Sequence, residues 1–566
     1  MRYFVPMSIH TFWDRVRDDM IGNDASIATP YGERMLTYAD FTASGRGLYA
    51  LEHYIQKMLR HYANTHTEDD ATGLMTSHRL AQAERLIKER LGASDNYKLI
   101  SLGAGATAAI IRLQQILGIH LPPATRERLT ATGMIDFSDP QVRAQQPVVF
   151  VGPYEHHSNE ISWREGFCEV VEVELDARGY LDLEDLENKL QDPRWQGRPR
   201  FGSFSAASNV SGIRTDVYAV ARILHRHGAR AFFDFSASAP YVKIDVNHDE
   251  ESYFDAVFFS PHKFVGGPGA SGILLIRDDL YRLDLPPSVS GGGTVSFVNA
   301  ESQDYLSDIE EREKAGTPGI IQTFRSALVL DLQHQLGIDT ITAHEQELIG
   351  SAVQRLSALP NIDIIGTAPP EDRIAIFSFN IRNGKGYLHP RFVVRLLNDL
   401  FGIQSRAGCS CAGPYGHRLL HIDLDTSEVY RNYIRSGSHG VKPGWVRVNF
   451  HFLLTPEDVD FLCTGIEFIA ASGHLFLQEY TFDLASGAWK HIKEVASSET
   501  FSAVSAFTVD DDPEEVDATR RDALRHAYVQ EAQERAQRLQ KTYDSAVLQE
   551  AAEDLIPFWY MEHSVR

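Results

Sequence analysis

Between residues 97 and about 330 the chain alternates short, continuously apolar runs with helical patterns, and that alternation restricts the fold more than any other feature. Residues 98–102, 147–151, 168–173, 200–205, 229–234 and 255–259 read as strands, and 106–117 and 217–227 as helices. Strands that are apolar on both faces need cover on both faces, so the pattern predicts an α/β unit with a mainly parallel central sheet sandwiched by helices. Ligands of such sheets bind in the crevice beyond the strand C-termini, where Gly103, Asp234 and Lys263 fall.

The flanking regions differ in character. Residues 1 to about 95 read as helical, with one extended segment near 36–41. Residues 331–475 mix a long helix with strands near 374–379 and 445–451 and a helix near 391–401, the pattern of a smaller α+β domain. After Gly473 come a strand-like aromatic pair (475–481 and 488–495), an acidic run at 510–515 read as a solvated linker, and a charged helix at 517–540. The expected organisation is an N-terminal segment (1–60) packing on the small domain, a large domain (61–330), the small domain (331–475) and a C-terminal extension (476–566). Lys and Arg number 54 against 77 Asp and Glu, a formal charge of −23, which disfavours nucleic-acid and anionic-membrane partners. No uninterrupted apolar run nears membrane-spanning length, no secretory signal is evident, and four cysteines make no disulfide framework, so a reducing cytoplasmic setting is expected.

The chemistry concentrates around Phe258-Phe-Ser-Pro-His-Lys263, which is followed by the glycine-rich stretch Gly266–Gly272 and an apolar strand at 273–276. A lysine at the end of an apolar strand is costly unless its charge is shifted or its amine is chemically committed. The commonest commitment is a Schiff base to an aldehyde cofactor, pyridoxal phosphate. Other strand ends carry matching groups. Ser101–Thr107 joins strand to helix through glycines, and a helix N-terminus offers free N–H groups to a phosphate; alone, it is equally a tight turn. Asp234 ends a strand, where a buried carboxylate needs a cation such as a protonated pyridine nitrogen, or else caps the next element. His156, in Glu-His156-His-Ser-Asn, could stack on a ring or belong to a surface pair. Ser208-Asn209 could reach a phenolic oxygen or form an Asx turn.

Half of the cysteines lie in Ser405-Arg406-Ala-Gly-Cys409-Ser-Cys411-Ala-Gly-Pro414-Tyr-Gly-His417, whose Gly and Pro residues make it a loop. Thiols beside Arg406 and His417 are candidates for activation, with inert packing as the alternative. Cys409, Cys411 and His417 supply three ligands where zinc takes four, so no metal is expected.

Taken in order, these segments, over roughly residues 30–465, resemble the fold-type-I pyridoxal-phosphate enzymes of the class V aminotransferase group, specifically cysteine desulfurases and selenocysteine lyases. The resemblance implies that Lys263 is the Schiff-base lysine and that Ser260, His262, Ala106 and Thr107 bind the cofactor phosphate. It makes His156 the stacking histidine, Asn209 the neighbour of the phenolic oxygen and Asp234 the pyridinium partner. Ala315-Gly-Thr317-Pro looks like the family turn whose Thr reaches the neighbouring subunit's phosphate, implying a homodimer. Cys411 falls where desulfurases carry their sulfur-accepting cysteine, and Arg447, in Trp445-Val-Arg-Val-Asn, where an arginine grips the substrate carboxylate, with Arg406 nearby. There are departures. Ala237 stands where the family has Gln, Cys409-Ser410 stands where this branch often has His, and the Cys-x-Cys pattern is partly similar to molybdenum-cofactor sulfurases. An insertion runs through 430–442, and about ninety C-terminal residues have no counterpart.

The function so implied is desulfuration of L-cysteine, or a related amino acid, to alanine through a Cys411 persulfide, with Cys409 as a second thiol that could resolve it and a protein as possible sulfur acceptor. Two alternatives stand beside it: another pyridoxal-phosphate reaction on the same scaffold (C–S β-lyase, epimerase or aminotransferase), which needs Lys263 but not Cys411, and a non-catalytic scaffold.

Overall fold

The structure, a computed structural model, describes residues 9–65, 67, 69–366, 368–384, 386–494, 502–504 and 518–543. The chain divides into two compact units: a larger one of residues 1–20, 41–344 and 371–374, and a smaller one of residues 21–40, 345–370 and 375–566.

Seven strands form the central sheet of the larger unit: β1 Tyr97–Leu102, β2 Val148–Val151, β3 Glu169–Glu172, β4 Arg200–Ser205, β5 Arg230–Asp234, β6 Ala256–Phe259 and β7 Gly272–Arg277. Their spatial order is β1-β7-β6-β5-β4-β2-β3. β3, β2, β4, β5 and β6 run parallel, while β7 is antiparallel to both β6 and β1. The glycine-rich link of twelve residues between β6 and β7 is a turn rather than a helical crossover, and such a link returns the chain antiparallel. Helices α1 Ala71–Arg90, α2 Ala106–Ile116, α3 Val217–Arg226 and α4 Ile320–Leu336 belong to the same unit. α2 buries Ala109, Ile110 and Leu113 with Val149, Val151, Phe232, Phe258 and Leu274 in one apolar cluster. Each large side chain fully buried there contributes about 1.5–3 kcal/mol.

The smaller unit carries an antiparallel sheet of β8 Ile362–Ile364, β9 Ile376–Asn383, β10 Arg406–Gly408 and β11 Trp445–Asn449, in the order β8-β9-β11-β10. Helices α5 Pro390–Phe401 and α7 Pro456–Ser472 pack on it, and the short α6 Gly413–Leu419 follows β10. Thr37–Tyr38 pairs in parallel with Ile403–Gln404.

Several local expectations differ from what is found. Residues 26–35 are a β-hairpin, Ser26–Thr29 with Gly32–Met35, not helix. The Thr29 hydroxyl accepts from the Tyr31 N–H, an ST-turn that closes the hairpin. Of the first sixty residues only 21–40 fall in the smaller unit; those from 41 onward belong with the central sheet. Residues 430–442, read as an insertion, lie in a helix, Leu424–Arg435, and a 3₁₀ turn, His439–Val441. The first member of the expected 475–481 strand pair is mostly 3₁₀ turn, and the hairpin is Tyr480–Asp483 with Ala488–His491. The acidic run at 510–515 lies outside the described residues. The last helix among the described residues, α8 Ala518–Thr542, is no appendage: Tyr528, Ala532 and Ala536 are buried in the smaller unit's core. Arg525 Nη2 binds Asp458 Oδ1 at 2.6 Å, and Arg535 pairs with Glu479. Among the described residues one segment, Pro456–Glu479, is long and apolar enough to cross a membrane; most of it is buried in this core.

Candidate active site

The larger unit gathers its polar residues where β1, β2, β5 and β6 end. β6 is fully buried, and Ser260 follows it at 6% exposure before the 3₁₀ turn Pro261–Lys263. The Ser260 hydroxyl accepts the N–H of Ala106, the first residue of α2, at 2.9 Å. Gly105 caps that helix, and a Cβ placed there would lie 2.9 Å from Ser260 Oγ and 3.6 Å from a His262 ring carbon. The missing side chain at Gly105 therefore leaves Ser260 and His262 converging on a helix N-terminus, the arrangement that favours an anion. Burial, with the Lys263 charge beside it, lowers the His262 pKa.

Two further strand ends join this cluster. Thr107 Oγ1 lies 2.7 Å from Ser158 Oγ, and the Ser158 N–H donates to His156 Nδ1 at 3.1 Å, so the His156 loop is tied to the start of α2. Asp234, at the end of β5, is 5% exposed and accepts the Ser236 N–H at 2.8 Å. Burial raises its pKa, while Ser236 and the charge of Lys263 pull it down. The Lys263 charge thus acts on the Asp234 carboxylate against its burial. Asn209 is buried four residues beyond β4 in a turn closed by Ser208, whose hydroxyl accepts from the N–H groups of Val210 and Ser211. Thr317 does not join the cluster; its hydroxyl accepts from Asn64 at an exposed position.

Two residues to which the sequence reading gave no role stand out here. Glu155, next to His156, is buried, and its carboxyl accepts from Gly152 N–H, Ser205 N–H, Ser205 Oγ and Asn159 Nδ2. Ser205 pairs in register with Asp234, so Glu155 ties the His156 loop to the strand beside Asp234. Burial pushes its pKa up to about 7 against those hydrogen bonds. Gly45 is the second. Its N–H donates to the His262 carbonyl at 2.9 Å, and a Cβ there would fall 1.8 Å from the Phe264 carbonyl oxygen. The chain passes so close to the Lys263 turn that only glycine fits. The one available signal was Ser-Gly-Arg-Gly at 44–47, which is weak on its own.

The smaller unit assembles a different group. Arg406 on β10 and Arg447 on β11 stand directly opposite each other. Between them is Asp40: Arg447 Nη2 donates to its Oδ1 at 3.1 Å and Arg406 Nε to its Oδ2 at 2.9 Å. Arg447 is 4% exposed, and the buried carboxylate offsets the repulsion of two facing guanidinium groups. Asp40 carried no signal in the sequence, because it lies hundreds of residues from either arginine. Beyond β10, Cys409 and Cys411 are both exposed. Cys168 and Cys463 are buried, and burial pushes both thiols up to about 12. Among the described residues no group of three or more His, Cys, Asp or Glu could hold a metal ion.

Comparison with known proteins agrees with this architecture. A "probable cysteine desulfurase" of Streptomyces coelicolor is 30% identical over 342 residues, covering 59% of this chain and 73% of that protein. One of the same description from Staphylococcus aureus is 28% identical over 443 residues, 77% of this chain and 92% of its own. Among solved structures, the apo cysteine desulfurase of Thermococcus onnurineus superposes with a TM-score of 0.63 at 22% identity, over 81% of this chain and 98% of that one. The Escherichia coli cysteine desulfurase CsdA gives 0.60 at 21%, with the same coverage. These likenesses show the fold, that of fold-type-I pyridoxal-phosphate enzymes. The aminotransferase class-V family profile matches residues 138–462, which hold β2 to β7, Asp234 and Lys263. Since that match takes in more than half of the chain, the protein belongs to the class-V aminotransferase family.

Proposed function

We propose that the protein binds pyridoxal phosphate at Lys263 and removes sulfur from L-cysteine or a closely related amino acid, leaving alanine and a persulfide on Cys411. The observation that carries this is a lysine just beyond the β6 terminus and a buried aspartate at the end of the adjacent β5, beside a helix N-terminus lined by Ser260 and His262. The donor set fits the cofactor. The α2 N–H groups, Ser260, His262 and Thr107 would take its phosphate, Asp234 its ring nitrogen, His156 its face, Asn209 its phenolic oxygen and Lys263 its aldehyde carbon. Once bound, the group supplies an electron sink for a carbanion at the substrate α-carbon.

The chain's own residues do the rest. The Asp234 carboxylate, which accepts the Ser236 N–H and feels the Lys263 charge, would hold a proton on the ring nitrogen. The Lys263 amine would take the substrate α-proton. The Arg447 guanidinium receives the substrate carboxylate, a charge-assisted contact that orients it. The Cys411 thiolate attacks the substrate sulfur; an S–S bond forms, the C–S bond breaks, and the remaining carbon skeleton takes up a proton and leaves as alanine. The reading extends to a homodimer in which Thr317 serves the neighbouring subunit and to a protein that accepts the sulfur, both resting on the family resemblance, and to a cytoplasmic setting, which rests on the sparse cysteines.

The test is to mix cofactor-loaded protein with L-cysteine and identify the products while following the cofactor absorbance. Alanine with a sulfur-loaded Cys411 supports the proposal, and Lys263→Ala should abolish the absorbance band of the bound cofactor. Pyruvate and ammonia, or undiminished sulfur release by Cys411→Ala, would replace it with a β-lyase.

A further inference from the structure

We propose that Cys409 is the resolving thiol for sulfur carried on Cys411: it expels that sulfur as hydrogen sulfide and closes a Cys409–Cys411 disulfide that a thiol or dithiol reductant must reopen. The inference rests on the reading that Cys411 accepts the substrate sulfur. It adds a second fate for that sulfur, release as sulfide when no acceptor protein takes it.

The turn after β10 brings the two thiols together. Among the described residues three that are not glycine have positive φ, and two of them are Ser410 (51°) and Cys411 (56°). The N–H of Ala412 donates to the Cys409 carbonyl at 3.0 Å and closes the turn. A left-handed residue between two neighbours holds their Cα atoms at the mirror image of helical spacing. From a radius of ~2.3 Å, 100° per residue and a rise of ~1.5 Å, residues two apart are about 5.4 Å from each other. That lies inside the range of about 4.4–6.8 Å that a disulfide spans, and close to its usual value. Had Ser410 been extended, the separation would approach ~7 Å, beyond reach. The left-handed conformation costs a residue with a side chain roughly 1–2 kcal/mol, so the sequence holds this curl against local preference.

Access agrees with geometry. Cys409 and Cys411 are exposed, so neither thiol has to leave a packed core, while Cys168 and Cys463 are buried with raised pKa values. The chemistry balances without an outside oxidant. The Cys409 thiolate attacks Sγ of the Cys411 persulfide, a bond forms between the two cysteine sulfurs, and the terminal sulfur departs as HS⁻ with the bonding electrons. The sulfane sulfur is reduced to sulfide, and two cysteine sulfurs are oxidised to the disulfide. An exposed disulfide in so small a ring is of the labile kind, which a thiol reductant reopens readily.

The experiment uses cofactor-loaded full-length protein: wild type, Cys409→Ser and Cys411→Ser. Each is mixed with one equivalent of L-cysteine per protomer, so that no free thiol remains to act as a reductant, quenched in acid with an alkylating reagent, and read by peptide mass and by sulfide assay. In the wild type the peptide spanning both cysteines should lose about 2 Da and resist alkylation, with about one sulfide freed per protomer. Cys409→Ser should instead hold an added ~32 Da on Cys411 and free no sulfide. Dithiothreitol added afterwards should restore both wild-type thiols. A wild-type peptide that keeps the added ~32 Da, with no disulfide, overturns the role of Cys409 while leaving Cys411 as acceptor. Failure of the underlying reading looks different: Cys409→Ser gains no mass, and Cys411→Ser makes alanine at the wild-type rate.

Discussion

Substitution of Gly45 by alanine should unseat Lys263 although the two residues are more than two hundred positions apart. The new Cβ would stand 1.8 Å from the Phe264 carbonyl oxygen and 2.5 Å from its carbon. Real Cβ contacts do not fall below 3.0 Å, so the two backbones must part by at least 3.0 − 1.8 = 1.2 Å. Both partners are main chain, so no side chain can swing aside. The displacement stretches the Gly45 N–H bond to the His262 carbonyl, now 2.9 Å, beyond hydrogen-bonding distance. Losing that bond costs about 0.5–1.5 kcal/mol and the overpacking about 1–3 kcal/mol, together roughly 2–4 kcal/mol. The Ser44 hydroxyl bond to His262 and the Gly266 bond to Arg46 lace the same segment to the Lys263 turn, so the strain falls on that turn. A shift near 1 Å in a reacting amine can cost about 100-fold in rate. Pyridoxal-phosphate titration, thermal unfolding and turnover would each register the change. Gly292→Ala, where a Cβ meets nothing within 4 Å, is the matched control. Cofactor affinity and unfolding midpoint unchanged in Gly45→Ala, with the control also silent, would refute the reasoning.

Asp40→Asn keeps the shape but removes the charge between Arg406 and Arg447; KM for the amino-acid substrate should rise roughly 10–100-fold with kcat within about twofold, and a fall in kcat alone would count against a positioning role. Glu155 has its pKa raised to about 7 by burial, so the folded protein holds a proton that the unfolded chain has lost. The stability this proton contributes is complete below pH ~4.5, fades as pH rises through ~7, and amounts to about 3 kcal/mol over that window. Urea unfolding at pH 5 and pH 8 should therefore show a smaller difference for Glu155→Gln than for wild type; equal differences would contradict the assignment. Arg525→Ala strips the partner from a buried Asp458 and should destabilise the smaller unit by about 3–5 kcal/mol, visible as faster proteolysis after α8; replacing both residues by leucine should recover most of the loss.

The strands and helices around Lys263 were legible because each announces itself locally. An apolar run as short as 256–259 ending in a polar turn can only be a buried strand with its functional group at the tip. The same holds for β2, β4 and β5. The hairpin at 26–35 was missed because short half-exposed strands carry almost no periodic signal. Likewise α8 has a polar composition overall and buries only a narrow stripe, Arg525, Tyr528, Ala532 and Ala536, so its membership of a core is invisible until the surface it covers is known.

By itself the sequence determined that a mainly parallel sheet forms, that a lysine, an aspartate and a helix N-terminus sit at strand ends, and that two thiols share a loop. Each of these depends on residue type and spacing within a few turns of chain. Only the tertiary structure decided that β5 lies beside β6, so that Asp234 meets the charge of Lys263. It alone decided that Asp40 bridges Arg406 and Arg447, that Glu155 braces the His156 loop, and that Gly45 presses on the lysine turn. These are pairings between segments far apart in the chain. Chain distance leaves no trace in local pattern; what selects such partners is the burial and charge compensation that exist only once the sheet order has been set.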